Sequence, residues 1–487
     1  MPPPSRFPLE PDSATFRAWA LAALGKLGPF LDRQDRAPLR PLTGSRRLAD
    51  RVHEPLPEHG APLPGILQEV MSRLVPTSLN TTAPGFMGFI PGGGLPAVAI
   101  ADLITAVTNR YTALWRAAPG LVQAEINVIR WLCQIVGYPP DAGGILTSGG
   151  SMANLTALVA AREDRLGEAF GDGLILISEQ THHSIAKAAR ISGFRADQIR
   201  PVAMDENFRI RPAALVRAIE EGRAAGLRPF LLVASAGSTA VGAVDPLAAL
   251  GEVCAAEGLW FHVDAAYGGC FAWTARGREV LKGLESADSI TLDPHKGLFL
   301  PYGTGTLLVR ERERLRTVFS EDAAYMPSGA VDPDHWDFAD LGPELTRPGR
   351  GLRIWLPLKL YGAAVFRSAL DEKLDLAREA HERIAGLPDV RVVTPPTLSL
   401  FTFRVEPAGH PDWNDFNRRI LRRVNRRQRV FLTGATLRDP GPDSFVIRVC
   451  ILSFRTHLEQ IDVLLEDLRG AMEETLAQWR RTESPEG

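Results

Sequence analysis

Residues 289–297 read Ser-Ile-Thr-Leu-Asp-Pro-His-Lys-Gly, a short apolar run followed by a polar segment. The run predicts a β-strand that stops at Asp293, because Pro294 cannot donate a hydrogen bond to a neighbouring strand. The segment that follows would carry the side chain of Lys296 into the protein interior. A lysine is almost never fully buried unless it is paired or bonded, so an exposed loop lysine is the alternative. Three other motifs favour the buried position.

Each of these motifs also follows an apolar run. Residues 261–267, Phe-His-Val-Asp-Ala-Ala-Tyr, place Asp264 at a strand end, where a buried carboxylate needs a partner or serves as a helix cap. His182 comes after a strand predicted at 174–178, with His183 as its rival for a role in a site. Residues 149–151, Gly-Gly-Ser, open a helix directly after a strand. Its free backbone N–H groups and dipole suit a phosphate, although glycine and serine are also ordinary caps.

Together the four motifs fit one cofactor, pyridoxal phosphate (PLP). The amine of Lys296 can form a Schiff base, and removal from water beside other cations is expected to lower its pKa. Asp264 would pair with the pyridinium nitrogen and keep it protonated, and the imidazole of His182 can stack on the flat ring. His295 could contact the phosphate or protonate an intermediate, with a purely structural role as the alternative.

Strand–helix alternation begins near residue 140 and predicts an α/β fold. Short, uniformly apolar strands between helices indicate a mostly parallel central sheet with helices on both faces, and ligands gather at the carboxyl ends of such strands. We predict a large cofactor-binding domain at 81–365 and a small α+β domain at 366–487, joined by one long helix from Leu356 to about Gly386. Residues 1–80 form a helical segment that packs either on the main body or on a second subunit.

Bulk properties exclude several classes of function. The chain has 487 residues, 55 basic and 57 acidic, and a formal charge of −2, which predicts no nucleic-acid partner and no membrane partner. Its N-terminus has no apolar core of a secretion signal, so we expect a cytoplasmic protein. The four cysteines are far apart, show no metal-ligand spacing, and are expected to be buried free thiols rather than disulfides.

Two further features suggest a substrate pocket. Residues 84–94 form a glycine-rich loop that carries Phe86 and Phe89, and aromatic residues in such a loop favour a pocket wall over a flexible linker. A substrate carboxylate needs a cation, and Arg448 is our candidate. Three alternative arginines are Arg347, Arg350 and Arg353.

The motif set resembles the group II PLP-dependent amino-acid decarboxylases, which include aromatic-L-amino-acid, glutamate and histidine decarboxylases. The resemblance covers residues from about 8 to 470. It rests on Ser-Gly-Gly-Ser at 148–151, Gln-Thr-His at 180–182, His-Val-Asp-Ala-Ala-Tyr at 262–267 and Asp-Pro-His-Lys at 293–296. It implies PLP-dependent transferase fold type I and a homodimer with its sites at the interface. It also implies that the N-terminal segment wraps the partner subunit.

The resemblance also implies a role for individual residues. Lys296 matches the Schiff-base lysine, Asp264 the partner of the pyridine nitrogen, and His182 the histidine stacked on the ring. The matches for phosphate contacts, other cofactor neighbours and the small residue under the ring are Gly150, Ser151, Ser238, His295 and Ala266. The mobile loop of the family resembles residues 319–329, which place Tyr325 as the proton donor to the carbanion left by loss of CO₂.

Two positions depart from the aromatic decarboxylases. Those enzymes carry an aromatic residue, proline and threonine in the pocket loop, where residues 89–92 read Phe-Ile-Pro-Gly. They carry tryptophan after the lysine, where this chain has Gly297. Both changes leave more space or alter contacts, so the sequence does not name the substrate.

We therefore predict a lyase of amino-acid metabolism that decarboxylates an L-amino acid to its amine and CO₂. Aldehyde-forming oxidative deamination, transamination or C–C lyase chemistry on the same scaffold are the alternatives among enzymes. Tyr325 favours decarboxylation over aldehyde formation. An inactive binding protein of the same fold is the alternative from another class, and the joint presence of Lys296, Asp264 and His182 argues against it.

Overall fold

The computed structural model describes residues 9–41, 47, 50, 52–320, 335–438 and 443–483. The central sheet contains the strands β1 (Gly143–Thr147), β2 (Gly173–Ile177), β3 (Ile199–Pro201), β4 (Arg228–Ser235), β5 (Trp260–Asp264), β6 (Ser289–Leu292) and β7 (Gly305–Val309). Their order is β1-β7-β6-β5-β4-β2-β3. Strand β7 runs antiparallel to both of its neighbours and the other pairs are parallel. The prediction of a mostly parallel sheet is confirmed.

Both faces of this sheet are covered. Every residue of β5, β6 and β7 is buried, and successive side chains of a strand point to opposite faces. The α-helices with described bounds are α1 (Ser13–Leu31), α2 (Leu63–Glu69), α3 (Ala97–Thr108), α4 (Pro119–Val136), α5 (Gly150–Leu166), α6 (His183–Ile191), α7 (Pro212–Ala224), α8 (Leu247–Glu257), α9 (Ala275–Val280), α10 (Pro294–Gly297), α11 (Glu313–Phe319), α12 (Gly351–Tyr361), α13 (Ala363–Ala385), α14 (Trp413–Arg426) and α15 (Leu458–Glu483). The continuous apolar runs of the sequence are therefore strands buried between helices.

A second, antiparallel sheet lies near the C-terminus. It comprises β8 (Val390–Thr394), β9 (Leu400–Val405), β10 (Thr433–Leu437) and β11 (Ser444–Cys450), in the order β10-β11-β9-β8. Strand β10, Thr-Gly-Ala-Thr-Leu, was not predicted because its apolar signal is weak. Its Gly434 leaves the space that the ring of Phe445 on β11 fills, since a Cβ at this position would lie 2.2 Å from that ring.

The prediction of one long helix from Leu356 to about Gly386 is wrong. Helices α12 and α13 are separate and are divided by Gly362, whose φ of 79° lies in the left-handed region. The first half of α13 packs in the large core through Phe366 and Leu370, and its second half packs in the C-terminal core. The helix therefore joins the two cores, and the domain boundaries 1–80, 81–365 and 366–487 stay a prediction.

The N-terminal helix α1 buries none of its side chains against the rest of the described chain. None of its residues is buried, and its apolar side chains, including Trp19, Leu24 and Leu27, are exposed. Lys26 on α1 donates a hydrogen bond to Gln68 on α2. A helix normally buries its apolar side chains, so α1 presents an apolar surface that the described residues leave uncovered.

Candidate active site

The predicted motifs converge on one cavity of about 300 Å³ at the carboxyl ends of the central strands. Polar residues that end or follow β1, β2, β4, β5 and β6 line it, as the strand–helix pattern predicts. The lining comprises Ser148, Gly149, Gly150, Ser151, Met152, Asn154, Gln180, His182, Ser235, Gly237, Ser238, Thr239, Asp264, Ala266, Tyr267, Asp293, His295 and Lys296. A larger cleft of about 850 Å³ lies elsewhere, beside Trp131 and Trp273, and none of these motif residues lines it.

Lys296 occupies one wall of the cavity on the short helix α10. Its Nζ atom lies 2.9 Å from Oδ2 of Asp293, and Nε2 of His295 lies 3.6 Å from the same oxygen. The side chain of Asp293 is only 2 % exposed, whereas that of Lys296 is 24 % exposed. A buried carboxylate thus holds the amine at the edge of the cavity.

The pKa of Lys296 moves in the direction opposite to the predicted one. Burial alone would lower this pKa, but the charges of Asp293 and Asp264 and the hydrogen bond to Asp293 raise it above its ordinary value. The expectation of a lowered pKa is therefore wrong for the chain without a cofactor. The reason is Asp293, which the sequence placed at a strand end without indicating that it faces the lysine.

Asp264 ends β5 and is 8 % exposed. Its Oδ2 atom accepts a hydrogen bond from Nδ2 of Asn154 at 2.9 Å, and its Oδ1 atom accepts one from the backbone N–H of Ala266 at 3.1 Å. These two donors stabilise the ionised carboxylate and fix its orientation. The sequence did not single out Asn154, although its position three residues after Ser151 places both on one face of α5.

His182 caps α6 and lines the cavity. Its Nδ1 atom lies 2.8 Å from Oγ of Ser184 and accepts the backbone N–H of Ser184 at 3.3 Å. Burial lowers the pKa of His182, partly opposed by the charge of Asp264, so the ring is neutral near pH 7. His183, its rival in the sequence, is exposed and does not line the cavity.

The start of α5 forms a cradle in the same cavity. The first backbone N–H groups of a helix have no partner within the helix, and those of Gly150 and Ser151 are at this position. A Cβ on Gly150 would lie 2.9 Å from Oδ2 of Asp293 and 3.3 Å from the Cβ of Ala266. The absence of a side chain at position 150 and the small one at 266 keep this space open.

These observations test whether the residues fit PLP. The cavity brings together an amine, a carboxylate fixed by hydrogen bonds, an imidazole and a helix N-terminus. The amine suits the aldehyde of PLP, the carboxylate its ring nitrogen, the imidazole its flat ring and the helix N-terminus its phosphate. Oδ1 of Asp293, buried at the cavity wall, has no hydrogen-bond partner within the described residues. The residues present fit the cofactor. Within the same ranges, no cluster of three or more His, Cys, Asp or Glu is placed to hold a metal ion.

Replacing Gly150 with alanine is expected to raise the Kd for PLP about tenfold, because the added methyl group forces Asp293 or the cradle to shift. Fluorescence titration of the apoprotein measures this change. Gly120→Ala is the matched control, since Gly120 also lies at a helix start and a Cβ there would meet nothing within 4 Å. Equal Kd values for the two variants would contradict the role of the cradle.

The structure does not bring Phe86, Phe89 or Arg448 into the lining of this cavity. Phe86 is 1 % exposed and stacks on Phe431 with ring centroids 5.0 Å apart. Phe89 is 55 % exposed, with a φ of 51°, and projects from the glycine-rich loop. Tyr325, the predicted proton donor, lies outside the described residues.

Arg448 does not line the cavity but holds one of the loops that form its wall. It is 5 % exposed, and its guanidinium donates to the backbone carbonyls of Thr239, Ala240 and Phe89 and to Oγ1 of Thr433. Ser238, a predicted cofactor neighbour, and Thr239 line the cavity, so Arg448 fixes the loop that carries them. The three alternative arginines have carboxylate partners in the chain: Arg347 pairs with Glu125, Arg350 with Glu344 and Arg353 with Asp102.

Of the two alternatives at Gly297, more space or altered contacts, the structure shows altered contacts. A Cβ at this position would lie 2.4 Å from the Cβ of Cys270 and 2.8 Å from its Sγ, and Gly297 does not line the cavity. The side chain of Cys270 thus fills the space beside the glycine. Cys133, Cys254, Cys270 and Cys450 are all buried and free.

The fold and the cavity define a PLP-dependent enzyme of fold type I. The family model described as "Pyridoxal-dependent decarboxylase conserved domain" matches residues 46–406. The chain belongs to this family, and it is a PLP-dependent amino-acid decarboxylase.

Similar proteins include the aromatic-L-amino-acid decarboxylase of Bacillus atrophaeus, which is 33% identical over 88% of this chain and 89% of its own length. The phenylacetaldehyde synthase of Arabidopsis thaliana is 29% identical over 78% of this chain and 81% of its own length. The crystal structure of Oryza sativa TDC with PLP and tryptamine superposes with a TM-score of 0.90 at 26% identity, covering 96% of this chain and 99% of the other.

Proposed function

We propose that this enzyme decarboxylates an aromatic L-amino acid to the corresponding amine and CO₂. The observation that supports the proposal most directly is the convergence of Lys296, Asp264 and His182 on one cavity beside a helix N-terminus. The aromatic class of substrate is supported by the relative from Bacillus atrophaeus, which is named for aromatic L-amino acids.

When bound, PLP supplies an electron sink for the pair released from the bond between Cα and the carboxylate. Lys296 would hold the cofactor and must lose its proton before it can act as a nucleophile; Asp293 and His295 lie close enough to accept that proton. Asp264 would keep the pyridine nitrogen protonated. Gly150, Ser151, Ser238 and His295 would contact the cofactor, and Ala266 would leave room under its ring.

Two residues act on the substrate in this proposal. Neutral His182, which lines the cavity, would stack on the cofactor ring beside the substrate carboxylate. Tyr325, which follows α11 in the sequence, would return a proton to Cα once CO₂ has left. A tyrosine at this position favours amine over aldehyde as the product, because protonation of Cα competes with its oxidation.

In this proposal the groups that select the substrate do not line the cavity around Lys296. Phe89 is exposed beside Phe431 and supplies an aromatic surface that would face a second subunit. The backbone oxygen of Phe89 accepts a hydrogen bond from Arg448, so the loop is fixed to the residues behind the cofactor. In this proposal Phe89 contributes to an aromatic pocket at the subunit interface. Phe86 supports the pocket by stacking on Phe431, and Arg448 supports it through its hydrogen bond to the backbone of Phe89.

A homodimer is part of the proposal. Helix α3 exposes four apolar side chains, Ile100, Leu103, Ile104 and Val107, and α1 exposes another apolar row. Two such faces on one chain suit burial against a second copy, with α1 reaching over the partner subunit. Buried free thiols suit a reducing compartment, and we propose a cytoplasmic location. Within the described ranges, no helix has both the length and the apolar character needed to span a membrane.

Replacing Leu103 with glutamate is expected to raise the dimer dissociation constant at least about tenfold, because a charge would have to be desolvated in an apolar interface. Sedimentation equilibrium measures the change. Ile191→Glu is the control, since Ile191 is 63 % exposed and belongs to α6, not to the proposed interface helices α1 and α3. If Leu103→Glu dimerises as tightly as the control does, the proposed interface is wrong.

A panel of L-amino acids tests the substrate class. Purified holoenzyme is incubated with tryptophan, tyrosine, phenylalanine, glutamate, histidine and 2,4-diaminobutyrate, and amine, CO₂, aldehyde and ammonia are quantified. We expect amine and CO₂ in equal amounts from at least one aromatic substrate. Turnover of glutamate or 2,4-diaminobutyrate alone would contradict the aromatic assignment but not the reaction.

A further inference from the structure

A row of buried polar side chains lies behind Asp264. Nε1 of Trp260 donates to Oγ of Ser289 at 2.8 Å, and the same oxygen lies 2.8 Å from Nδ1 of His262. Nε2 of His262 lies 3.1 Å from Oδ1 of Asn154. All four side chains belong to residues no more than 2 % exposed. With water excluded, donors and acceptors must match one another within the row.

The indole at one end and the carboxylate of Asp264 at the other set the directions of the hydrogen bonds. An indole N–H can only donate, so Ser289 accepts it. At the other end Nδ2 of Asn154 donates to Asp264, so Oδ1 of Asn154 faces Nε2 of His262 and calls for a proton there. Nδ1 of His262 then accepts the hydroxyl proton of Ser289. Burial lowers the pKa of His262 to about 4, so this ring is neutral near pH 7. A neutral imidazole that accepts at Nδ1 carries its proton at Nε2. His262 therefore donates to Oδ1 of Asn154.

The orientation of the Asn154 amide follows. Its Oδ1 also accepts a hydrogen bond from Oγ1 of Thr291 at 2.6 Å. Its Nδ2 then directs two hydrogens at two acceptors, Oδ2 of Asp264 and Oγ of Ser184, each at 2.9 Å. A reversed amide would place oxygen against the carboxylate of Asp264 and nitrogen against the N–H of His262, which excludes it.

The last link reaches His182. Ser184 accepts from Asn154 and has its own hydroxyl proton left for Nδ1 of His182, 2.8 Å away. The backbone N–H of Ser184 points at the same nitrogen and can only donate. Nδ1 of His182 therefore accepts, and the proton of the neutral ring is at Nε2.

We propose that Asn154 is a positioning residue that couples Asp264 to His182. One of its amide hydrogens holds the carboxylate of Asp264, and the other acts through Ser184 to fix His182 as the Nε2–H tautomer. What this coupling means for catalysis rests on the proposed function. His182 would offer its Nε2–H as a donor to the substrate carboxylate. Its Nδ1 is already occupied as an acceptor of hydrogen bonds from Ser184.

The same contacts set the protonation of His182. A hydrogen bond to the lone pair of the neutral ring disfavours the charged form. The charged or titratable groups that act on this ring are Asp264 and Asp293, which favour its protonation, and His183 and Lys296, which oppose it. Removing the Ser184 hydroxyl is therefore expected to raise the pKa of His182.

Nitrogen-15 NMR of the apoprotein labelled in histidine tests the proposal, with the His182 signals assigned from a His182→Gln variant. In the wild type we expect an unprotonated Nδ1 and a protonated Nε2 near neutral pH. Ser184→Ala should raise the pKa of His182 by about 0.5 to 1 unit, and Ser184→Thr should restore it. A protonated Nδ1 in the wild type, or an unchanged pKa in Ser184→Ala, overturns the proposal.

Asn154→Ala separates the two arms of the coupling. We expect it to raise the pKa of His182 as Ser184→Ala does, and also to raise the Kd for PLP about tenfold or more, because Asp264 loses a donor. Ser184→Ala should leave that Kd nearly unchanged. A folded Asn154→Ala protein with wild-type His182 signals and wild-type Kd overturns the coupling; if it does not fold, the Ser184 variants decide. The spectra need neither PLP nor substrate, so a failure of the decarboxylation assay leaves this result intact.

Discussion

The Lys296→Ala variant is expected to lose the absorbance band of bound cofactor and to lose activity by about 10⁴-fold or more. The variant removes the amine that lies 2.9 Å from Asp293 in the cavity, and with it the covalent attachment of PLP. Single removals of a covalent catalytic group in other enzymes cost on this order or more. Absorbance spectra after incubation with PLP, before and after borohydride reduction, measure the attachment.

Two further variants control for folding. Loss of Lys296 leaves the buried carboxylate of Asp293 without its partner, which is itself destabilising. Lys296→Arg keeps the positive charge beside Asp293 but cannot attach the cofactor, so it should fold and remain inactive. Lys187→Ala, an exposed lysine on α6, should behave as the wild type. A borohydride-stable band in Lys296→Arg would place the attachment at another lysine and refute the assignment.

Asp264→Asn is expected to lower kcat/KM by about 10²- to 10³-fold. The amide occupies the same volume, yet it removes the charge that keeps the cofactor nitrogen protonated. One of the two hydrogen bonds, from Asn154 or from the N–H of Ala266, also loses its acceptor. Single-turnover and steady-state kinetics on the cofactor-saturated protein measure the loss.

Asp245→Asn is the matched control for Asp264→Asn. Asp245 is also buried, at 5 % exposure, and accepts hydrogen bonds from the backbone N–H groups of Ser235 and Ile210, both at 2.7 Å. Burial raises the pKa of Asp245 to about 6, and the residue does not line the cavity. Its substitution should lower stability while kcat/KM stays within a few-fold of the wild type. Comparable losses of kcat/KM in both variants would mean that Asp264 acts only through folding.

The central sheet was predictable because its strands are short, uniformly apolar and separated by helices. The position of Asp264 at the end of such a strand, and of His182 just after another, also predicts that the two side chains lie near one cavity. Strand β10 and the break at Gly362 escaped prediction because a weakly apolar strand and a single left-handed glycine carry little periodic signal.

Long-range packing explains what the sequence could not predict in the site. Asn154 and Asp264 are 110 residues apart, and a helical face alone does not say which strand the face meets. Asp293 reverses the expected pKa shift of Lys296, and this follows only from the fold of the turn between β6 and α10. Arg448 has the charge that a substrate carboxylate needs, but it is buried. Its guanidinium donates hydrogen bonds to three backbone carbonyls and so fixes the loop that carries Thr239.

The most direct test of the central claim is the fate of the substrate carboxylate and of Cα. The holoenzyme is given the preferred aromatic L-amino acid, labelled with carbon-13 in its carboxyl group, in deuterium oxide under air. We predict one labelled CO₂ per amine and, after exchange of the nitrogen-bound hydrogens, one deuterium at Cα of the amine. Aldehyde and ammonia with consumption of oxygen, or a keto acid that retains the labelled carboxylate, would contradict it.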